Sequence, residues 1–370
     1  MGITVRGCWA PPSLPARLKI LSGIGRLCYV MFTEQSKKDR SNRMRAIVMT
    51  AFGGPDVLRF VEIPDPEPAY GQVRVRLYAA GVNPAEAYIR TGHYAFFKPE
   101  LPYTPGFDGA GIVETIGEGA RGCKPGDRVF VSGLTARRNT GTYAEKVVCD
   151  ADAVFPLPEG ICFEAGAAIG FPGIAAYRAL FQCAGLKPAE KVLVHGASGG
   201  VGTVAVQLAR ACGAFVIGTV GSPASMQTVR NLGAHAVLNH TTPGYLEALP
   251  DITGGTGPDV IVEMLADKNL ENDMRVVGEH GRIVIVGSRG ELNITPRLLM
   301  AKESRVMGMA IWHALPEEVA MAEAAVAAAL RSGALHPVLG ETFPLAEAAQ
   351  AHVRIMARGG KPGKMLLRID

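Results

Sequence analysis

Val192-Leu-Val-His-Gly-Ala-Ser-Gly-Gly-Val-Gly-Thr203 decides how the rest of the chain is read. A short apolar run, Val192 to Val194, enters a glycine-rich turn, and a helical pattern from Val204 to Ala211 leaves it. Strand, tight turn and helix in that order form the phosphate-binding opening of a dinucleotide-binding βαβ unit. The glycines have separate tasks. Gly199 lets the backbone approach a pyrophosphate with no Cβ in the way, and Gly202 lets the helix pack close to its strand. The free N–H groups of the helix start then face the phosphates. The usual G-x-G-x-x-G spacing reads here Ala197-x-Gly199-x-x-Gly202, with a small residue at the first position.

Downstream, apolar runs alternate with helical stretches. Residues 215–220, 236–239, 260–265, 282–287 and 305–311 read as parallel strands, apolar on both faces as buried parallel strands must be. Residues 317–331 are Ala-rich and helical, and Lys364-Met-Leu-Leu-Arg368 reads as a strand returning to the first half of the chain. Upstream, Met44-Arg-Ala-Ile-Val-Met49 is strand-like. Val73, Val75 and Leu77 alternate with Arg74 and Arg76 as a half-buried strand does. Short strands at 111–114 and 128–131, separated by Gly and Pro, indicate a β-rich domain. The expected organisation is an α/β chain with four parts. These are an extension over residues 1–43, a β-rich catalytic domain over 44–165, a dinucleotide-binding domain over 166–311, and a return to the catalytic domain over 312–370. The extension carries Arg6, Arg17, Lys19 and Arg26 and nothing acidic before Glu34. It reads either as a transit peptide or as a start assigned upstream of Met31 or Met44, which sets the expected location as cytoplasmic or mitochondrial.

Composition narrows the classes. The 370 residues suit two domains, and 48% hydrophobic with 19% charged residues suits a globular enzyme with a large core. A net charge of +4 gives no argument for nucleic acid or membrane binding. The seven cysteines are scattered and odd in number, with no CxxC pair, which argues against a disulfide framework and a structural zinc lobe. No uninterrupted apolar stretch is long enough to span a bilayer.

Beyond the glycine turn, several segments resemble the zinc-independent quinone oxidoreductases, the zeta-crystallin family of the medium-chain dehydrogenase/reductase superfamily. They are Ala51-Phe-Gly-Gly-Pro-Asp-Val-Leu58, Gly81-Val-Asn-Pro-Ala-Glu-Ala-Tyr-Ile-Arg90, Leu101-Pro-Tyr-Thr-Pro-Gly-Phe-Asp108, Gly126-Asp-Arg-Val-Phe130, Gly233-Ala-His235, Glu263-Met-Leu-Ala266, Val286-Gly-Ser-Arg-Gly290 and Met300-Ala-Lys-Glu-Ser304. The likeness runs from Met44 to the end. It implies a GroES-like β-rich domain plus a Rossmann domain with a doubly wound parallel sheet, and an active site in the cleft between them.

The resemblance also implies site residues. Asn83 and Gly106-Phe107-Asp108 stand where zinc alcohol dehydrogenases of the superfamily carry the ligand Cys and Gly-His-Glu. Phe107 cannot bind metal and an amide oxygen is a poor zinc ligand, so no metal is expected. Without a Lewis acid, an activated acceptor such as a quinone, or alternatively an α,β-unsaturated aldehyde or ketone, suits the site better than an alcohol. Asn83 and Tyr88 are expected to line the nicotinamide pocket and hydrogen-bond developing charge, and Tyr94 to face the acceptor. Ser198, Gly199, Gly200, Val201, Gly221, His240, Asn269, Val286, Gly287, Ser288, Arg289, Met309, Ala310 and Ile311 match cofactor-contacting stretches. Ala175 departs from the Thr common in the family. His195 reads as a packed, hydrogen-bonded core residue. The second strand of the unit ends in Gly218-Thr-Val-Gly-Ser-Pro223, with no acid to hold a ribose 2′-hydroxyl, which favours NADPH over NADH. No Lys or Arg follows Gly221 to meet the 2′-phosphate. Family members include lens proteins and binders of AU-rich RNA, but no arginine-rich tract or RNP-like aromatic motif supports that role here. The apolar run at 305–311 is expected to form an exposed sheet edge that pairs in a homodimer or homotetramer.

Overall fold

A computed structural model describes residues 42–131, 141–357 and 359–370. Expectations for residues 1–41 lie outside the described residues. Strands β1 (Arg43–Val48) and β2 (Arg59–Pro64) pair with each other. Strands β3 (Gln72–Gly81), β4 (Asp108–Ile116), β5 (Arg128–Val131), β6 (Lys146–Asp150) and β7 (Val154–Pro156) belong to a larger antiparallel arrangement. The parallel sheet follows: β8 (Lys191–Val194), β9 (Phe215–Val220), β10 (Ala236–Asn239), β11 (Val260–Glu263), β12 (Arg282–Ile285) and β13 (Arg305–Gly308). β14 (Leu339–Pro344) and β15 (Lys364–Arg368) then rejoin the first sheet. Its order is β14-β15-β3-β4-β5-β7, with β6 also on β3, and β15 lies antiparallel to β3.

The six-stranded sheet has the order β10-β9-β8-β11-β12-β13, all parallel. This is the doubly wound Rossmann order, and its direction reverses between β8 and β11. Side-chain alternation explains why the strand runs are apolar throughout. Val192, Val194, Val216, Val260, Val262 and Val284 fall on one face, against Val204, Ala205 and Leu208 of the helix Gly200–Ala211. Leu193, Ile217, Ile261 and Ile283 fall on the other, against Leu249, Leu270 and Met274. Each such fully buried side chain contributes roughly 1.5–3 kcal/mol.

Some strands end earlier than the apolar runs. The run at 260–265 gives a strand only to Glu263, because the Glu263 carboxylate turns back and takes the Leu265 N–H. The runs at 282–287 and 305–311 stop at Ile285 and Gly308, and the residues beyond form loops at the carboxyl edge of the sheet. The helix expected at 317–331 spans Pro316–Ser332. β2, β6, β7 and β14 went unread in the sequence; each is short and lacks a clean period of two.

The glycine turn behaves as its sterics require. Gly196 takes φ +58°, and a Cβ on Gly202 would lie 2.7 Å from the Ala197 Cα and closer still to the Gly196 carbonyl. Backbone cannot yield there. A Cβ on Gly199 would meet nothing nearer than 3.4 Å, so that face is open. Gly202→Ala is therefore expected to cost about 1–3 kcal/mol in urea denaturation, whereas Gly199→Ala should stay within about 0.5 kcal/mol of the parent. Equal stabilities of the two variants would refute this assignment of roles.

Candidate active site

Helix Pro84–Thr91 starts at Asn83, with Pro84 at its first position, where a missing N–H costs nothing. Glu86 at the third position reaches back to accept the Asn83 backbone N–H at 2.7 Å, a capping interaction that fixes the entry of the helix. Glu86 is buried and accepts three further bonds, from the Phe107 N–H (2.9 Å), the Tyr143 hydroxyl (2.7 Å) and Asn83 Nδ2 (3.3 Å). Burial pushes its carboxyl up to about 7, against the pull of Lys364 and the Tyr143 hydroxyl. Behind it, Tyr143 Oη lies 3.2 Å from His352 Nε2, and burial drives the His352 imidazole down to about 3, so it is neutral.

Asp108 stands at the start of β4, wholly buried. One oxygen accepts the Phe171 N–H; the other accepts Asn83 Nδ2 and Lys364 Nζ, each at 2.8 Å. Lys364 Nζ also donates to Asn83 Oδ1. Sequence reasoning saw Lys364 only as the start of a strand and missed it as a site residue. Its strand β15, antiparallel to β3, carries the ammonium into the site from nearly three hundred residues away in sequence, |i−j| 281 to Asn83. The same segment touches the glycine turn: Gly363 N–H donates to the Ser198 carbonyl at 2.8 Å, and a Cβ on Gly200 would lie 3.3 Å from Lys364 Cδ. Both amide hydrogens of Asn83 are thus engaged with Asp108 and Glu86. The sequence reading had offered them to a ligand; the structure uses them to hold the charged pair.

The tyrosines stand differently. Tyr88 and Tyr94 lie nearly parallel with centroids 6.3 Å apart, and the Tyr88 hydroxyl has no hydrogen-bond partner among the described residues. The Tyr94 hydroxyl accepts from Trp312 Nε1 at 2.9 Å, and burial raises its pKa, keeping it a neutral phenol with its own hydrogen to donate. Phe97, Phe107 and Phe171 pack round Trp312. Trp312 follows the parallel sheet in sequence yet packs in the β-rich core, so aromatic wall and cofactor-side strands are joined there. Tyr88 and Tyr94 are legible from the segment likeness, whereas Phe97, Phe171 and Trp312 are not, because the chain brings them together from positions far apart in sequence.

The expected cofactor residues follow the carboxyl ends of successive parallel strands. Ser198 to Val201 open the helix Gly200–Ala211, whose first turn carries no acid. Gly221 follows β9, and a Cβ there would lie 3.0 Å from His240 Nε2, so the imidazole lies directly over that glycine. Burial and His195 lower the His240 pKa. The hydroxyl of Ser222 caps the helix Pro223–Asn231, which also lacks an acid in its first turn. Asn269 donates to Glu263 Oε1 at 3.1 Å. Beyond Val286 and Gly287, Asp267 accepts from the Arg289 N–H (2.8 Å) and lies 3.4 Å from the Ser288 hydroxyl. The Arg289 amide holds the Asp267 carboxyl below the usual range. Met309 donates to the Ile285 carbonyl at 2.9 Å, Ala310 is half-buried, and Ile311 packs its side chain in a core cluster with Ile174 and Ala175 while its carbonyl accepts the Ala314 N–H at 3.0 Å. His195 is buried and bonded to Thr219 and Asp273.

A parallel doubly wound sheet with an anion-ready glycine turn, beside a β-rich domain presenting tyrosines and a buried ion pair, defines a nicotinamide-dependent oxidoreductase scaffold. Residues 69–159 match the family described as alcohol dehydrogenase GroES-like domain, and residues 200–328 match zinc-binding dehydrogenase. Quinone oxidoreductase of Rattus norvegicus is 45% identical over 325 residues, 88% of this chain and 97% of that protein. Among solved structures, Escherichia coli quinone oxidoreductase complexed with NADPH aligns with TM-score 0.78 at 31% identity, over 88% of this chain and all (100%) of that one. An NAD-dependent alcohol dehydrogenase aligns with TM-score 0.81 at 31% identity over the same shares. The chain belongs to the quinone oxidoreductase (zeta-crystallin) family of the medium-chain dehydrogenase/reductase superfamily, and it is an oxidoreductase.

Lys364→Met leaves Asp108 buried without its counter-charge. The expected loss is about 3–5 kcal/mol in urea denaturation, with Asp108→Asn in the same chain restoring part of it. Stability unchanged in the single variant would show that the pair contributes nothing.

Proposed function

We propose that the chain reduces quinones with NADPH, without zinc, binding the acceptor in the cleft between the glycine turn and the tyrosine wall. The observation that carries this reading is the Asn83–Asp108–Lys364 cluster. Of the two positions where the zinc enzymes of the superfamily place metal ligands, Asn83 is spent on the Asp108–Lys364 pair and the Phe107 side chain carries no donor atom. Phe107 is an aromatic wall residue.

The chain's residues fit the cofactor. The open face at Gly199 admits a pyrophosphate to the N-terminus of the helix Gly200–Ala211. Absence of an acid beyond β9, with a small residue at Gly221 and a helix start at Ser222 whose first turn holds no acid, suits a 2′-phosphate better than a bare 2′-hydroxyl. His240 over Gly221 supplies a donor in place of a Lys or Arg. A bound nicotinamide supplies the reducing equivalents. The protein's part is to hold the acceptor against it, exclude water with Phe97, Phe107 and Trp312, and offer the Tyr88 and Tyr94 hydroxyls to negative charge growing on the acceptor oxygen. The Asp108–Lys364 pair is tied to the glycine turn through Gly363, which fixes the two segments against each other.

Isothermal titration should show NADPH binding at least about tenfold more tightly than NADH, a difference of about 1.4 kcal/mol. Turnover should be faster with a quinone than with an enone and should survive exhaustive chelation. Gly199→Asp should abolish binding of both nucleotides. Stronger NADH binding, enone preference, or zinc-dependent recovery of activity would each overturn the corresponding part of the reading.

The same reading includes a homodimer or larger homo-oligomer. β13 is at the edge of the described six-stranded sheet, and Val306 and Met307 are half-buried on it. The N–H groups of Arg305 and Met309 bond inward to Gly281 and Ile285, so by alternation those of Val306 and Gly308 face outward, available to a second copy's edge. Light scattering should give at least a dimer mass at micromolar concentration. Val306→Pro, which removes an outward N–H, should dissociate it before unfolding; an unchanged mass would place the interface elsewhere.

A further inference from the structure

The order in which the parallel strands are laid down reverses between β8 and β11, and a crevice opens at the carboxyl ends of such a pair. Beneath that crevice lies a buried polar cluster. His195, immediately after β8, is 2% exposed; Glu263, the last residue of β11, and Asp273, on the helix Ala266–Val276, are 0% exposed. His195 Nε2 lies 2.9 Å from Asp273 Oδ1 and 3.6 Å from Glu263 Oε2, and His195 Nδ1 lies 3.1 Å from Thr219 Oγ1. Glu263 faces two ways. Its Oε1 accepts the Leu265 N–H and Asn269 Nδ2 at 3.1 Å, while its Oε2 turns into the cluster and has no donor there.

Two carboxyl groups packed this closely without water do not both ionise. Burial pushes Glu263 and Asp273 each up to about 7, and it lowers His195, which disfavours an imidazolium held between two carboxylates. Two more titratable groups face the cluster. Tyr245 feels both carboxyls, and His240, which lies over Gly221, feels His195.

We infer that Glu263 is a positioning residue for the nucleotide: it holds Asn269 and the Leu265 turn at the switch-point crevice, with His195 and Asp273 packed behind it. This rests on the reading of Asn269 as a cofactor contact. The grip is local. Leu265 begins the helix Ala266–Val276, whose first-turn Asn269 keeps its amide oxygen without a partner among the described residues and therefore available to a ligand. The loop on its other side is stitched to the same turn, with Ala266 N–H donating to the Gly287 carbonyl at 2.9 Å and Val286 N–H to the Glu263 carbonyl at 2.8 Å. The Glu263 carboxylate thus holds the Leu265 turn directly, and backbone bonds tie the 286–287 loop to that turn. Ionising the cluster fully adds a negative charge below an anionic nucleotide, so affinity falls as pH rises through 7.

The test uses the full chain and NADPH itself, with binding read by isothermal titration at pH 6 and pH 8.5. Glu263→Ala should weaken NADPH binding about tenfold, while kcat with a quinone at saturating NADPH changes less than about twofold. Glu263→Gln keeps an acceptor oxygen for Asn269 and Leu265, so it should bind within about threefold of the parent at pH 6 and should lose the parent's decline in affinity at pH 8.5. Melting supplies a second readout. Carboxyls raised in the folded state contribute stability that is complete below their ordinary range and lost as pH rises through about 7. The parent's melting temperature should therefore fall across that window more steeply than that of Glu263→Gln. If Glu263→Ala does not fold, Glu263→Gln and the melting profile still decide. Parent-like affinity in Glu263→Ala, or an identical pH response in Glu263→Gln, overturns the inference. So does a stoichiometric divalent ion held by the parent and lost in Glu263→Gln, which would make the cluster a metal site. A parent that does not bind NADPH refutes the functional reading instead, and Asn269→Ala with unchanged affinity refutes the Asn269 contact through which Glu263 is said to act.

Discussion

A carboxylate with no access to water must be surrounded by donors, and Asp108 is such a carboxylate. Its donors come from three separate parts of the chain: Asn83 at a helix start, Phe171 on the way into the parallel-sheet half, and Lys364 on the last strand. Satisfying one buried charge therefore ties the β-rich half, the crossover and the returning C-terminal strand to one point. The cost of breaking this cluster from one side exceeds the net worth of forming it, because the partner left behind stays charged and dry. That asymmetry makes the cluster a specific lock on domain arrangement more than a source of stability.

The lock is next to the glycine turn. Gly363, the residue before Lys364, donates to the Ser198 carbonyl, so the C-terminal strand touches the phosphate-binding loop and the Asp108 cluster at once. Glu86 extends the network backward through Tyr143 to His352, all of them buried. Around Asp108 the polar contacts are thus buried and satisfied, while the aromatic cluster round Trp312 draws on both halves of the chain. A second buried polar cluster, His195–Glu263–Asp273, lies at the carboxyl ends of β8 and β11. The difference is charge. A lysine faces the carboxylate of the first cluster, whereas in the second burial raises both carboxyls and lowers the imidazole.

Sequence alone determined the local chemistry. Steric rules for Gly199 and Gly202 are backbone rules and hold wherever strand, turn and helix meet, so the glycine turn was legible from its spacing. The parallel strands were legible because both faces are buried and their runs are apolar throughout. The run beyond Glu263 misled at its end, since a side chain there captured a backbone N–H that periodicity does not register. Asn83 and Asp108 were singled out by segment likeness, but their partners were not. Lys364 lies in a strand pattern like any other, and nothing in the sequence says that its ammonium is buried. Only the tertiary structure brings residues 83, 108 and 364 within hydrogen-bond distance, and only it turns Asn83 from a free donor into a link between charges. The physical reason is general. Backbone geometry and apolar periodicity act over a few residues and are written in local order, whereas the satisfaction of a buried charge depends on which distant segments the fold packs around it.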